Sequence, residues 1–278
     1  MINILFYGNC QTFAVQHTLS LSSDHYNIQH VPCWTTDTDK EKFTEIVKNS
    51  DIIITQPIND NYRDLDYLST SYIINNKKTD CKTIIFDSCY FDFYYFDLTY
   101  KNKDNNLLRE PIDYHYNNMI ECYNNNLPIE YYIENYANNY NLKSSEELEI
   151  IANESLNELN KRYQENKNKY NGENINIIST EDFIKNNYKN KLLFYSMNHP
   201  TKYVTQYICE EIINILNIPN TINYEIDLLP DPKCIIYKCI QKNVNFDINN
   251  HPPLTLNKTN IHDISQLYYD TYKKIGTI

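Results

Sequence analysis

The chain has 278 residues and a formal net charge of -11. A chain of this length predicts one large α/β domain, and its acidic balance argues against nucleic acid or an anionic membrane as a partner. It begins with an apolar strand pattern instead of a signal peptide, and its sequence has no apolar run of membrane-spanning length, so we expect a cytoplasmic protein without a membrane span. The eight cysteines form no CxxC pair, which favours reduced thiols over disulfides or a zinc site.

The first ninety residues alternate short apolar runs with amphipathic stretches. The predicted strands of this region are Ile2–Tyr7, Ile28–Val31, Ile52–Thr55 and Thr83–Phe86. Alternation of this kind predicts a βαβα arrangement with a mostly parallel sheet, so the fold class is three-layer α/β. The segment 90–96 that follows is rich in aromatic residues, which favours a place in the packed core over a place in the wall of a ligand-binding pocket.

Residues 112–170 predict a helical insertion. Ser144 and Glu147 have the spacing of a capping box, which opens a helix. The apolar side of that helix is Leu148, Ala152, Leu156, Leu159 and Tyr163.

The strand pattern resumes at Ile175–Ile178 and again at 192–196. A helix with Val204, Ile208, Ile212 and Ile215 on one face comes next, and a last helix is expected at 264–275. We expect a single domain over residues 1–278, with 220–278 as a C-terminal extension.

Gly8 is one of only three glycines, and it stands where the first strand ends and a helix begins. A sharp turn there places Cys10 at the carboxyl edge of the sheet, where open α/β folds bind their ligands. The backbone N–H groups of Cys10 and Gln11 would then lower the pKa of the thiol and form an oxyanion hole. The alternative is a small buried residue at a tight turn.

His199 follows the predicted strand at 192–196 and precedes a helix that Thr201 is placed to cap. A histidine in this position suits a general base, and with Cys10 on the same sheet edge it predicts a nucleophile-and-base dyad. The alternative is a structural histidine. Lys202 lies one residue into the helix, where its ammonium and the helix N-terminus together suit a phosphate group of a ligand.

Further polar residues are candidates for lining a ligand pocket at this edge of the sheet. Gln56 ends the third strand, and Ser88 and Tyr90 follow the fourth. The full set of predicted ligand contacts is Gln11, Gln56, Ser88, Tyr90, His115, Asn198, Thr201 and Lys202. For each of them the alternative is a loop or surface residue that contacts no ligand.

These motifs occur in an order that resembles one known family. Gly-Asn-Cys-Gln at residues 8–11, Gln-Pro at 56–57, Ser-x-Tyr-Phe at 88–91, Tyr-His at 114–115 and Asn-His-Pro-Thr at 198–201 resemble the WcbI family of polysaccharide-biosynthesis acetyltransferases over about residues 1–217. The resemblance implies an SGNH-hydrolase-like fold, binding of coenzyme A, and acyl transfer from acetyl-CoA to a sugar or nucleotide sugar. It also implies that Cys10 replaces the nucleophilic serine and that His199 matches the histidine of SGNH hydrolases.

The sequence departs from the SGNH pattern in two places. Ser196 stands where those hydrolases have the acid that orients the histidine, and no Gly-x-Asn-Asp block is present, so the oxyanion hole falls to Gln11 or Gln56. The favoured function is N-acetylation of an amino-deoxy sugar linked to a nucleotide. Sugar O-acetylation, ester hydrolysis or deacetylation, and binding of coenzyme A or glycan without turnover remain as alternatives.

Overall fold

The computed structural model describes residues 1–34, 39–219 and 221–276. Its strands are β1 (Ile2–Gly8), β2 (Tyr26–Pro32), β3 (Ile52–Thr55), β4 (Lys82–Phe86), β5 (Leu98–Thr99), β6 (Asn102–Lys103), β7 (Asn106–Leu107), β8 (His115–Tyr116), β9 (Ile175–Ile178), β10 (Phe194–Ser196) and β11 (His199–Pro200). Its α-helices are α1 (Cys10–Leu19), α2 (Lys40–Asn49), α3 (Thr70–Asn76), α4 (Asn117–Asn124), α5 (Ile129–Tyr132), α6 (Ser145–Lys169), α7 (Glu181–Asn187), α8 (Lys202–Leu216) and α9 (Ile261–Ile275).

The described residues cluster into two compact units. Unit 1 comprises Met1–Cys89, Asn157–Lys185 and Pro200–Leu229, and unit 2 comprises Tyr90–Leu156, Asn186–His199 and Pro230–Ile278. Residue 220 and residues 277–278 of the predicted C-terminal extension lie outside the described residues. The single domain over residues 1–278 stays a prediction.

Unit 1 contains a five-stranded sheet with the order β2-β1-β3-β4-β9. Every neighbouring pair in it is parallel. The strand order reverses between β1 and β3. The chain passes from β1 to β2 on one side of β1 and then returns to place β3 on the other side of β1. In doubly wound sheets, ligands bind beyond the carboxyl ends of the strands at such a reversal. The residues that follow β1 and β3 therefore occupy the expected ligand position.

Helices cover both faces of this sheet. Leu5, Tyr7 and Ile53 share one core cluster with Phe43 of α2 and Ile73 of α3. Because side chains alternate along a strand, the intervening residues of β1 face the opposite side, where α1 packs on β1 and on α8. The predicted three-layer α/β fold with a parallel sheet is confirmed.

Unit 2 is built on aromatic rings. Its fully buried side chains include Tyr94, Tyr116, Tyr132, Tyr268 and Tyr272. A buried tyrosine needs a partner for its hydroxyl group. Tyr268 donates to the carbonyl of Tyr114 at 2.7 Å, and the Tyr116 hydroxyl oxygen accepts the Ile235 N–H at 2.8 Å. These bonds explain how a chain with 27 tyrosines buries so many of them.

The core role predicted for segment 90–96 is confirmed for most of it. Phe91, Phe93, Tyr94 and Tyr95 are all buried. Phe91 and Phe93 stack with ring centroids 5.9 Å apart.

The predicted capping box is also confirmed. Ser144 N–H donates to Glu147 Oε2 at 2.7 Å, and Glu147 N–H donates to Ser144 Oγ at 3.2 Å. The helix that follows, α6, buries Leu148, Ala152 and Leu159 as its pattern predicts.

The strand predicted at 192–196 is present at Phe194–Ser196, but its predicted place in the parallel sheet is wrong. Phe194–Ser196 forms β10, which pairs only with the two-residue strand β11 among the described residues. Its backbone groups are used elsewhere in unit 2: Phe194 C=O accepts the Tyr95 hydroxyl at 2.9 Å, and Tyr195 C=O accepts Cys234 N–H at 2.7 Å. His199 therefore does not follow a strand of the parallel sheet.

No helix in the described parts of the chain is long and apolar enough to cross a membrane.

Candidate active site

The turn between β1 and α1 is closely packed around Gly8. A Cβ atom at this position would lie 2.2 Å from Thr12 Oγ1 and 2.8 Å from Gln56 Oε1, closer than real Cβ contacts. Asn9 is the N-cap of α1, and its side chain accepts the Gln11 N–H at 2.8 Å. Cys10 is thus held as the first residue of the helix, as the sequence predicts.

Cys10 differs from the other cysteines in its exposure. All eight are free, and seven are buried, whereas Cys10 is partly exposed. Burial raises the pKa of the Cys10 thiol above its ordinary value, and the N–H groups of Cys10 and Gln11 lower it by less. The two N–H groups act in the predicted direction, but the net shift in the pKa is upward, contrary to our expectation.

The Gln11 side chain joins the ends of two neighbouring strands. Its Oε1 accepts the Cys89 N–H at 3.0 Å and the Gln56 Nε2–H at 3.0 Å, while its Nε2 donates to the Cys89 carbonyl at 2.8 Å. Gln56 directly follows β3, and Cys89 lies three residues past β4. We call Gln11, Gln56 and their hydrogen bonds the amide latch.

The side-chain oxygen of Gln56 is bonded to the turn that contains Cys10. Gln56 Oε1 accepts the Asn9 N–H at 3.0 Å and the Thr12 hydroxyl at 3.0 Å. Gln56 and Gln11 are 1 % and 3 % exposed. Because these bonds occupy the polar ends of both amides, the described geometry gives the pair a positioning role, and their predicted contact with the donor stays a prediction.

Ser88 and Tyr90 lie on either side of Cys89. Ser88 is half-buried in unit 1, where it lines a cavity together with Pro57 and Asp87. Tyr90 is half-buried and is the first residue of unit 2.

His199 is half-buried in unit 2. Its ring lies edge-on to Tyr114, with centroids 5.7 Å apart and an interplanar angle of 88°. Burial lowers the pKa of His199 to about 4, against a smaller opposing effect of Asp113. Its Nδ1 atom is buried and has no hydrogen-bond partner among the described residues. The ring is therefore neutral at physiological pH, and no acid orients it through Nδ1.

The residues beside His199 form their own network in unit 2. Asn198 Oδ1 accepts the Tyr114 hydroxyl, and Asn198 Nδ2 donates to the Tyr100 hydroxyl oxygen at 2.9 Å. Ser196 Oγ donates to Asn198 Oδ1 at 3.4 Å. Tyr114 thus contacts both Asn198 and the ring of His199.

His115 is fully buried in unit 2. Its Nδ1 pairs with the Tyr272 hydroxyl at 3.1 Å and its Nε2 with the Leu108 carbonyl at 3.3 Å. A carbonyl only accepts, so Nε2 carries the proton and Nδ1 accepts from Tyr272. Both ring nitrogens have protein partners, which a structural role explains, and contact with the donor stays a prediction.

Thr201 and Lys202 begin α8 in unit 1. Thr201 is the N-cap by its backbone angles, but its side chain makes no capping hydrogen bond, contrary to our expectation. Lys202 Nζ donates to the Tyr224 carbonyl at 3.2 Å. The same carbonyl accepts a hydrogen bond from Gln206 Nε2 at 2.8 Å, one turn further along the helix.

The structure brings the predicted residues together in two groups. Cys10, Gln11 and Gln56 are joined in unit 1, and Asn198 and His199 are neighbours in unit 2. The pairing of Cys10 with His199 stays a prediction.

Sequence reasoning missed Thr12, Cys89 and Tyr114 as parts of these groups. Cys89 and Tyr114 lie inside the motifs at 88–91 and 114–115, for which the predicted contacts are Ser88, Tyr90 and His115. No spacing signal marks Thr12, whose partner Gln56 is remote in sequence.

Comparison with known proteins adds a family and a fold. A family model described as polysaccharide biosynthesis enzyme WcbI matches residues 3–221. Among solved structures, that of WcbI, described as a novel polysaccharide biosynthesis enzyme in its native form without a disulfide bond between coenzyme A and a cysteine of that protein, is similar with a TM-score of 0.82 and 18 % identity. The match covers 99 % of this chain and 90 % of that chain. A comparison with curated proteins found no match.

Proposed function

Because the chain belongs to the WcbI family of polysaccharide biosynthesis enzymes, we propose that it is an acetyltransferase that uses acetyl-CoA to modify a sugar. One observation carries this proposal. The only cysteine that is not buried, Cys10, stands at the start of α1 beside the strand reversal of a doubly wound sheet. A thiol in that position is suited to react with, or lie against, the thioester of the donor.

The structural relative supports coenzyme A as the donor's carrier. The description of that protein names coenzyme A and one of its cysteines as the two partners of a disulfide bond that this native form lacks. In this chain, Cys10 is the thiol accessible enough for the same chemistry. The start of α8 with Lys202 supplies a helix N-terminus and a cation for the donor's phosphates.

Two chemical routes are open to Cys10 and His199. In the covalent route, the Cys10 thiolate attacks the acetyl carbonyl, the thiolate of coenzyme A leaves, and the acceptor then attacks the acetyl-cysteine. In the direct route, His199 takes a proton from the acceptor, which attacks acetyl-CoA itself.

The protonation states favour the direct route. The raised pKa of Cys10 leaves little thiolate at neutral pH. The lowered pKa of His199 leaves its ring neutral at that pH, so one of its ring nitrogens is unprotonated. In this route Cys10 shapes the pocket around the thioester, and a Cys10→Ala variant keeps most of its kcat.

The acceptor we propose is the amino group of an amino-deoxy sugar linked to a nucleotide, and a sugar hydroxyl is the alternative. An amine must lose a proton during acetylation, and in this proposal His199 accepts that proton. The family's description, polysaccharide biosynthesis, supports a sugar as the acceptor.

Isothermal titration with coenzyme A and acetyl-CoA tests the donor. We expect binding by the wild type, weaker binding by Lys202→Ala, and unchanged binding by Lys48→Ala, an exposed lysine in the last turn of α2. Absence of binding to either compound by the wild type would contradict the acetyltransferase proposal.

A further inference from the structure

A cavity of about 430 Å³ lies in unit 1 beside the ends of β3 and β4. Its walls include Pro57, which comes two residues after β3, and Asp87 and Ser88, which directly follow β4. Helix α6 supplies the rest of its charged lining through Glu158, Arg162 and Glu165. The volume is within the range of about 300–1,000 Å³ that small-molecule sites occupy.

The lining of this cavity is acidic. Asp87, Glu158 and Glu165 contribute three carboxyl groups, and Arg162 is the one cation among the described residues that line it. Arg162 Nε also donates to Glu158 Oε1 at 2.8 Å, so its charge is already compensated in part. Such a site repels phosphate and carboxylate groups and accepts hydrogen bonds from hydroxyl and amino groups.

One carboxylate oxygen of Asp87 receives no hydrogen bond from the described residues. The side chain is only 3 % exposed. Its Oδ2 accepts the Thr180 N–H at 2.9 Å and the Thr180 hydroxyl at 3.3 Å, whereas its Oδ1 receives no hydrogen bond from the described residues. Because Oδ1 is not among the fully buried atoms that lack a partner, a hydrogen-bond donor in the cavity can reach it.

The cavity is joined to the turn around Cys10 through the amide latch. Gln56 precedes Pro57 in the chain, and Cys89 follows Ser88. Both Gln56 and Cys89 bond to the side chain of Gln11, the residue after Cys10. One wall of the cavity is therefore held in fixed register with the proposed reactive thiol.

We propose that this cavity binds the acceptor through a sugar residue that carries hydroxyl or amino groups and no phosphate or carboxylate. The inference rests on the proposed function, because it assigns a place to that reaction's acceptor. Asp87 Oδ1 accepts a hydrogen bond from the sugar, and the amides of Asn59 and Asn166 in the lining donate and accept further ones. A nucleotide diphosphate attached to the sugar lies outside this acidic cavity.

Saturation-transfer NMR with three probes tests the assignment. Glucosamine and glucose are expected to bind, and glucuronate is expected not to bind. Asp87→Asn presents a donor where the cavity has an acceptor, so glucosamine binding should weaken roughly tenfold. Glu165→Gln, on the exposed side of α6, removes a charge without changing the core and should weaken glucosamine binding in the same direction. Asp24→Asn, at an exposed position in a turn, is the control and should bind as the wild type does.

The results separate this inference from the proposed function when titration with coenzyme A is run on the same samples. If coenzyme A binds but neither glucose nor glucosamine does, the cavity assignment is overturned and the proposed function is not. Equal binding of glucuronate and glucosamine, or no effect of both cavity variants, would also overturn it. Sugar binding with the expected variant pattern, but no binding of coenzyme A, would support a sugar site in the cavity and would overturn the transferase, and with it the acceptor role of that site.

Discussion

Gln11 and Gln56 meet through their side-chain amides, with Gln56 Nε2 3.0 Å from Gln11 Oε1, although 45 residues separate them in the chain. The contact fixes the strand reversal at which Cys10 stands. Both side chains are buried, so their polar groups have no ready alternative partner in water. The latch is thus a structural requirement of the candidate site and not a surface feature.

Gln56→Ala should destabilise the protein. The substitution leaves the Asn9 N–H, the Thr12 hydroxyl and Gln11 Oε1 each without one hydrogen bond in a buried setting. We expect a loss of about 2–4 kcal/mol in the free energy of unfolding, measured by urea denaturation.

Gln164→Ala is the matched control, because Gln164 is exposed on α6 and bonds only weakly to Asn160 at 3.3 Å. Its effect should stay within about 0.5 kcal/mol. Equal stability of the Gln56→Ala protein and the wild type would show that the latch contributes nothing.

Iodoacetamide should modify Cys10 before any other cysteine in the folded protein. The other seven thiols are buried, and alkylation needs both access and a thiolate. Because the pKa of Cys10 is raised, its rate of modification at neutral pH should be below that of a free thiol and should increase steadily with pH. Peptide mapping by mass spectrometry locates the label.

The Cys10→Ala protein provides the control for that experiment, since it should take up no label on the same time scale. Labelling of Cys33 or Cys89 ahead of Cys10 would contradict the exposure described here.

His199 should titrate near pH 4 instead of near its ordinary value of 6.5. Burial disfavours the charged ring, so the folded protein binds this proton more weakly than the unfolded chain. The neutral His199 ring therefore contributes fully to the free energy of unfolding above pH 6.5. This contribution is lost as the pH falls from 6.5 through 4. Proton NMR of the imidazole resonances, assigned with a His199→Ala protein, measures the pKa. A value at or above 6.5 would contradict the neutral base.

Asp87→Asn should change how stability depends on pH. Burial raises the pKa of Asp87 to about 6 from 3.8, against the opposing hydrogen bonds from Thr180. The folded protein therefore holds this proton more tightly than the unfolded chain, and the wild type loses stability as the pH rises from about 4 to 6. The asparagine variant avoids that loss, so relative to the wild type it should gain up to about 3 kcal/mol between pH 4 and pH 8.

Thermal unfolding of both proteins at the two pH values measures this difference. Asp24→Asn is the control, and its difference in stability from the wild type should be the same at both pH values. A difference between Asp87→Asn and wild type that is the same at pH 4 and pH 8 would show that Asp87 ionises normally.

The sheet of unit 1 could be predicted from the sequence because its strands are short apolar runs. Ile52–Thr55 and Ile175–Ile178 have the same bounds in the structure as in the prediction. Apolar patterning reports burial, however, and not the partner of a strand. Phe194–Ser196 is buried like a sheet strand, but loop residues and the Tyr95 hydroxyl take its carbonyl groups, which no pattern reveals.

The candidate site could be predicted only in part for a similar reason. Gly8 and Cys10 stand out because glycine is rare in this chain and the turn requires it. The amide latch depends on side-chain contacts between distant residues, and the direction of the Cys10 pKa depends on how deeply the folded chain buries the sulfur. Both are properties of packing, which a single sequence does not encode in its local spacing.

The most direct test of the central claim is the release of free coenzyme A from acetyl-CoA in the presence of amino-sugar nucleotides, with the product identified by mass spectrometry. We predict release that requires an acceptor, a product that has gained one acetyl group, and a rate at least about 100-fold lower in the His199→Ala protein. Release of acetate without any sugar, or no release with any acceptor although coenzyme A binds, would contradict the assignment as a sugar acetyltransferase.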